Sequence, residues 1–460
     1  MRHSELHFDV VVIGAGSAGL ATAIQLAEAG ARVAVTAQGH GSTHLAPATV
    51  DVAGYLPAPV GTDAAPRAAS SAPAASSPAA SSSAASAALT IAAASPHSGF
   101  EALVASYPQH PYAKIGFDAV SASLEWFQRT VAAGPLTGYQ YEGRLDEHLW
   151  LPTALGGLRP STLAPLTMAS GERRKLSDVV VVGSPGLRDF YPTLCAENLC
   201  RSGVNARAAE VDFGLDRADA NCLMLARKLD AADWRARFCE RLQPVTGSAT
   251  QVGLPAGLGL DNPFSVFTDL QDRLGCEVFE IPLLPPSVPG MRLYEIFRSA
   301  LSRAGGRLFL GAEVTSAERQ GSRILSVRAG TAGHSRVYAA DWFVLATGGF
   351  GSGGIAMGSD WVTRERVFNL PLSGVPHPGQ ARFSSDYVAE QPLDRAGVAT
   401  DRELIASTVE NVVVVGAALA GAAPWREGSG EGIALASATR AAALISQRCF
   451  DSSVRRTPGG

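Results

Sequence analysis

The stretch that most restricts the fold opens the chain: FDVVVIGAGSAGLATAIQLAEAGARVAVT, residues 8–36. Residues 8–13 read as a strand whose apolar run, 10–13, has the pattern of a parallel strand covered on both faces. A glycine turn follows, then helix-forming sequence over 17–29 and a second strand over 32–35, which together predict a βαβ unit. Gly14-Ala15-Gly16-Ser17-Ala18-Gly19 fits G-x-G-x-x-G at the point where strand passes into helix. In that motif Gly14 makes the tight turn, Gly16 lets a phosphate approach the backbone, and Gly19 lets helix and strand pack closely. With Ser17 and Ala18 they form a candidate anion site at a helix N-terminus. Such a unit usually carries an acid at the end of its second strand, where it holds an adenosine ribose. Thr36, Ala37 and Gln38 stand there instead. Thr36 becomes the candidate contact at that edge, and a ribose would lack its charged partner.

Later segments supply strands of the same kind. DWFVLATGG (341–349) reads as a buried strand ending in Ala346, Thr347, Gly348 and Gly349, where backbone can pass close to a ligand. NVVVVGAALAG (411–421) is another, with Gly416 at its end, and a loop bearing Gly428, Gly430 and Gly432 leads into a helix predicted over 432–448. The start of that helix is a second anion-accepting end. Two such ends on one sheet suit a cofactor with a phosphate at one end and an electron-accepting ring at the other, which points to a flavin. Between these segments the pattern predicts a helix over 117–132, a strand over 178–183 running into a helix over 187–201, and a helix over 292–303. Two hairpin strands follow, GAEVTSAE and RILSVRAG, joined by a turn at 320–322.

The predicted class is therefore α/β: a Rossmann-like flavin-binding domain, split in sequence, with an inserted second α/β domain. Residues 1–61 and 291–460 form the two parts of the first unit, and 99–290 form the insert. Residues 62–98 collapse to Ala, Ser and Pro, a composition with too little large apolar surface to offset the ordering of its backbone. That segment reads as a disordered insertion.

Composition narrows the function classes. Lys+Arg total 38 against Asp+Glu 42, a net charge of -4 without blocks of like charge, so the chain lacks the basic field of a nucleic-acid or lipid-surface binder. Its six cysteines include no Cys-x-x-Cys, and the chain offers no iron-sulfur or metal motif of its own. Glu5 and Asp9 precede the first apolar run and Gly14, Gly16 and Gly19 interrupt it, which reads as a cytosolic first strand rather than a signal peptide. No apolar stretch reaches the length of a membrane span.

VVVIGAGSAGL, HLAPATVDVAGYLP (44–57), HPYAKIG (110–116), VVGSPGLRDF (181–190), LPPSVPGMRL (284–293), FVLATGGFGSGG (343–354) and ENVVVVGAALAG carry a resemblance that runs nearly end to end. The chain resembles the B subunits of anaerobic glycerol-3-phosphate dehydrogenase, flavoproteins related to the fumarate-reductase type of flavin domain. The first and last of these motifs occur in many flavoproteins, whereas LPPSVPGMRL and HPYAKIG are more particular. The resemblance implies a complex in which an FAD subunit oxidises glycerol 3-phosphate, this subunit carries FMN, and an iron-sulfur subunit passes electrons to the quinone pool. It also implies a cytoplasmic location, with the complex held peripherally at the inner face of the cell membrane. Two features depart from the family pattern. The Ala/Ser/Pro segment is not required by it, and Glu431 stands in a glycine cluster, where a carboxylate competes with an anionic reduced flavin.

His44, His110, Arg159, Arg292, His377 and Arg382 are the polar residues that invite a catalytic reading, each with a plainer alternative. A backbone-bonded loop histidine is expected at His110, a helix-surface pair with Glu295 at Arg292, and a rigid proline-flanked loop at His377. FMN is the expected cofactor because a phosphate can still sit at Gly14–Gly19 while the missing acid costs an adenosine ribose its partner; FAD is the alternative. Two other functions compete with the electron relay: a self-sufficient fumarate-reductase-like or NAD(P)H oxidoreductase, and a non-catalytic assembly subunit. Flavin content of the isolated chain separates relay from platform, and the lack of a second G-x-G-x-x-G disfavours a nicotinamide domain.

Overall fold

The computed structural model describes residues 5–57 and 90–454, apart from positions 216, 218, 248, 332, 378 and 388. Glu5–Ile13 (β1), Ser17–Glu28 (α1) and Val33–Ala37 (β2) form the predicted βαβ unit, with β1 and β2 parallel and Ile13 opposite Thr36. Val10, Val11 and Val12 are fully buried, as a strand covered on both faces requires. Tyr55–Pro57 (β3) then pairs antiparallel with Thr90–Ala92 (β4), and Pro96–Ser106 (α2) follows. A capping box starts α2, with Ser98 N donating to Ser95 Oγ and Ser95 N to Ser98 Oγ. Residues 90–98, expected to belong to the disordered insertion, instead contribute β4 and the start of α2, and the serines and proline there begin that helix. Residues 62–89 of that segment lie outside the described residues.

Pro111–Ile115 (α3) and Phe117–Ala132 (α4) lead into the middle of the chain. There Asp178–Gly183 (β5), Asn205–Glu210 (β6), Gln251–Pro255 (β7) and Glu277–Ile281 (β8) make a four-stranded parallel sheet in the order β6-β5-β7-β8. It has its own core, with Val179–Val182 fully buried. The helix after β5, Pro192–Arg201 (α5), starts five residues later than the apolar pattern suggests. Pro192 sits in its first turn, and Leu187 and Phe190 pack into the core from the preceding turn rather than from a helix.

Val288–Arg303 (α6) returns the chain to the first sheet, capped by Ser287, whose Oγ accepts from Gly290 N at 3.1 Å. Arg307–Leu310 (β9), Glu313–Gln320 (β10), Arg323–Thr331 (β11), His334–Leu345 (β12) and Val412–Val414 (β13) complete a seven-stranded sheet. Its order is β9-β2-β1-β12-β11-β10, with β13 beside the end of β12. The early β1 and late β12 are parallel neighbours over eight residue pairs, so the first sheet is split in sequence. Pro424–Glu427 (α7) and Gly430–Val454 (α8) end the described chain. One buried ion pair joins the two sheets' cores: Glu280 of β8 with Arg292 of α6.

Candidate functional site

At the C-terminal edge of the first sheet the strand ends leave backbone to face backbone. Gly14 has φ +117°, and a Cβ there would lie 2.3 Å from Ala346 O, so no other residue fits this turn. Gly14 N donates to Thr36 O and Ala346 N to Ile13 O, which ties the ends of β1, β2 and β12 together. A Cβ on Gly19 would lie 2.1 Å from Gly14 O, the close helix–strand approach expected of the third glycine. Gly16 differs: a Cβ there meets nothing within 4 Å. It is also the N-cap of α1 and supplies no side-chain cap to the first N–H groups of that helix.

Three further segments meet this edge. Gly416, just past β13, has φ +66° and would bring a Cβ 2.7 Å from Ala18 Cβ in the first turn of α1. Thr347, past β12, has a buried Oγ1 without a hydrogen-bond partner, and Gly348 follows at φ +75°. A Cβ on Gly349 would reach Ala417 O at 2.8 Å. The start of α8 closes the group, since Ser17 Oγ donates to Glu431 Oε1 at 3.2 Å and stands 3.0 Å from Thr43 Oγ1. Gly430 is exposed beside it. Gly432 has a packing role, because its N donates to Asp51 O and a Cβ would collide with Tyr112 Oη at 2.4 Å.

Thr36 lies at the end of β2, opposite Ile13. It is fully buried, its Oγ1 has no partner, and only its carbonyl serves the site, through Gly14 N. Every residue of β2 is buried, and Ala37 ends the strand. The loop that follows folds back, so that a Cβ on Gly41 would lie 2.9 Å from Gly16 Cα.

The other candidates divide by burial. Arg292 is fully buried in a two-pronged pair with Glu280, at 2.8 and 3.0 Å, and does not pair with Glu295, which bonds Arg298. Burial alone would raise the Glu280 pKa, but the Arg292 charge beside it and the Arg292 and Thr167 hydrogen bonds hold it below the ordinary value. His110 is fully buried at the N-cap of α3; its Nδ1 accepts from Tyr112 N and its Nε2 lies 3.1 Å from Glu427 Oε2. Neither side chain reaches the surface. His377 is exposed in a loop closed by its N–H bond to Gln380, and Arg382 bonds Trp361 O. His44 sits nearer the site, stacked on His40 at 4.5 Å with the Tyr294 ring edge-on to both, and burial lowers its pKa. Arg159 pairs with the buried Asp51, whose pKa burial raises despite that pairing.

Sequence reasoning missed Glu427. Its Oε1 accepts from Arg395 Nη1 at 2.7 Å and Ala423 N at 3.0 Å, and its Oε2 from Ser429 Oγ at 2.9 Å, opposite His110. Arg395 stacks on the Tyr107 ring at 3.7 Å. The network holds the loop that enters α8. Its signal lies in WREGSGEG, where an acid beside glycines reads as loop sequence. Burial raises the Glu427 pKa, but His110 and the donors around it outweigh burial and lower it.

The protein-family model described as an FAD binding domain matches residues 9–433. The B subunit of anaerobic glycerol-3-phosphate dehydrogenase from Pectobacterium atrosepticum is 30% identical over 461 residues, spanning 96% of this chain and 99% of that protein. The B subunit of the same enzyme from Yersinia pestis is 30% identical over 455 residues, spanning 96% and 98%. A quinol fumarate reductase of E. coli covers 99% of this chain and 72% of its own, at 9% identity and a TM-score of 0.42. The residues at the sheet edge fit a flavin: open space at Gly16, an uncapped α1 N-terminus and the unpartnered Thr347 hydroxyl. Among the described residues, no helix is long and apolar enough to cross a membrane.

Proposed function

The chain belongs to the FAD binding domain family and, within it, to the B subunits of anaerobic glycerol-3-phosphate dehydrogenase, and on that premise we propose that it is the flavin-bearing relay subunit of such a dehydrogenase. The observation that carries this reading is the meeting of two helix N-termini, α1 and α8, at one glycine-lined sheet edge in a chain alike to those subunits from end to end. In this reading glycerol 3-phosphate is oxidised to dihydroxyacetone phosphate on an FAD-containing partner subunit. An iron-sulfur subunit completes the complex, which lies against the inner face of the cell membrane, and menaquinone or fumarate is the eventual acceptor. A bound flavin supplies the exchange between two-electron and one-electron transfer.

The chain's own residues do the holding. The first N–H groups of α1, with Gly16 leaving the approach open, take the phosphate. Gly348 and Gly349 let backbone come close, the Thr347 hydroxyl finds a partner, and the N-terminus of α8 favours negative charge nearby. The buried His110–Glu427–Arg395 network keeps that helix start in place. Among the described residues, no grouping of an acid, a base and an open pocket at this edge makes an independent substrate site, which supports relay over self-sufficient catalysis.

FMN is the proposed form of the flavin. No acid ends β2, and the Gly41 backbone lies against Gly16 on the path toward that strand end. FAD is the second reading, favoured by the family match over residues 9–433. The function is tested by dye-linked oxidation of glycerol 3-phosphate. The isolated chain should bind flavin and show no activity, and co-expression with the partner subunits should restore it. Turnover by the isolated chain refutes the relay.

A further inference from the structure

Glu431 stands where the two helix ends meet, and the relay function gives it no task. Its carboxylate takes the Ser17 hydroxyl, which points out of the phosphate-accepting motif, and Ser17 also touches Thr43 from the loop after β2. From the other elements around it, Asp51 faces it and is paired with Arg159. Tyr141 also faces it, with its hydroxyl bonded to Ala48 O. Tyr112 lies against the same turn, with its hydroxyl bonded to Val52 O. Among the described residues, none of these places a cation directly on Glu431, and the Arg159 guanidinium is taken by Asp51. A phosphate carrying close to two negative charges cannot share the Ser17 hydroxyl and the α1 N-terminus with an ionised carboxylate at this separation without strong repulsion.

We propose that Glu431 is a resident carboxyl that competes with the cofactor's phosphate for the start of α1, so that the phosphate-bearing flavin binds to the chain with Glu431 protonated. The proposal rests on the flavin reading and makes Glu431 a specificity-determining residue: it sets how strongly the site distinguishes flavin phosphate from phosphate-free riboflavin, and makes that distinction depend on pH. Burial, with Asp51 adding to it, pushes Glu431 up to about 7 against the opposing Ser17 hydrogen bond, so the choice falls in the neutral range.

The test is the binding of FMN and of riboflavin to the cofactor-stripped full chain, read by quenching of flavin fluorescence between pH 5.5 and 8.5, for the wild type and Glu431→Gln. Relative to the variant, wild-type affinity for FMN should be about equal at pH 5.5 and lower by about thirtyfold at pH 8.5, as expected for a site closed by one ionised group of pKa about 7. The phosphate's own titration cancels in that ratio. Riboflavin should show no such divergence. Calorimetry of wild type in two buffers at pH 8.5 supplies a measurement that needs no variant: FMN binding should take up close to one proton. Parallel pH profiles for the two proteins, or binding without proton uptake, overturn the proposal and leave the flavin reading standing. If neither protein binds any flavin at any pH, the flavin reading falls and the proposal with it.

Discussion

Replacing Glu280 by Gln should unfold the joint between the two sheets far more easily than any surface change. The Glu280 carboxylate accepts from Arg292 Nη1 and Nη2, from Thr167 Oγ1 at 2.6 Å and from Leu258 N at 2.8 Å, and both members of the pair are fully buried. Arg292 also donates to Gly259 O. Gln keeps the shape and removes the charge, so the guanidinium remains buried without a counter-charge. Breaking one partner of such a pair typically costs about 3–5 kcal/mol. The exposed Arg298–Glu295 pair on the same helix provides the control, where Glu295→Gln should cost under about 1 kcal/mol. Apolar replacement of both partners, Glu280→Leu with Arg292→Met, should recover most of the loss because no buried charge is left behind. Because the Glu280 pKa is lowered on folding, its contribution is fully present above the ordinary carboxylate pKa and is lost as pH falls through the folded value. Urea unfolding at pH 7 and pH 4, followed by fluorescence and circular dichroism together, measures all of this, and agreement of the two probes checks that a single transition is being read. A Glu280→Gln protein within about 0.5 kcal/mol of wild type at pH 7 would refute the reasoning.

Gly16→Ala should leave the thermal midpoint nearly unchanged, since the added Cβ meets no atom, yet lower flavin retention on gel filtration; equal retention would contradict a phosphate at that position. Gly14→Ala, which drives a Cβ into Ala346 O, should instead yield little folded protein in expression trials. Replacing residues 62–89 by a short Gly/Ser linker should preserve flavin content and thermal midpoint, because β3 and β4 already hold Pro57 opposite Thr90. The stability of the cofactor-free wild type relative to Glu431→Gln should fall as pH rises from about 4.5 to about 7 and then level in pH-dependent urea titrations, since the raised Glu431 pKa means the folded wild type holds a proton the unfolded chain has lost.

The glycine edge was legible because backbone geometry dictates it: positive φ at Gly14 and direct backbone approach at Gly19 leave a one-letter signature that needs no knowledge of the fold. The split sheet was legible for a similar reason, since strands covered on both faces must be continuous apolar runs, as at 10–12, 343–345 and 412–414. What escaped was pairing across long sequence separations. Arg292 looked toward Glu295 because a helix makes that contact local, and only the fold brings Glu280 of β8 to it. His110 and Glu427 are 317 residues apart, and nothing local in either segment announces the other. The burial of Thr36 was not legible either, because every position of β2 is buried and the strand runs on to Ala37. The serine-rich end of the low-complexity segment hid a capping box, whose residues are the same ones that enrich disordered sequence.

The measurement that tests the central claim most directly is the absorption spectrum of the purified chain together with the mass of the small molecule that heat releases from it. One flavin per chain, released as FMN, is the result expected if the α1 and α8 N-termini hold a phosphate-bearing flavin and the end of β2 lacks a ribose partner. Stoichiometric FAD would keep the flavin and refute the argument from β2 and Gly41. A colourless chain that neither releases nor takes up flavin would contradict the account at its root.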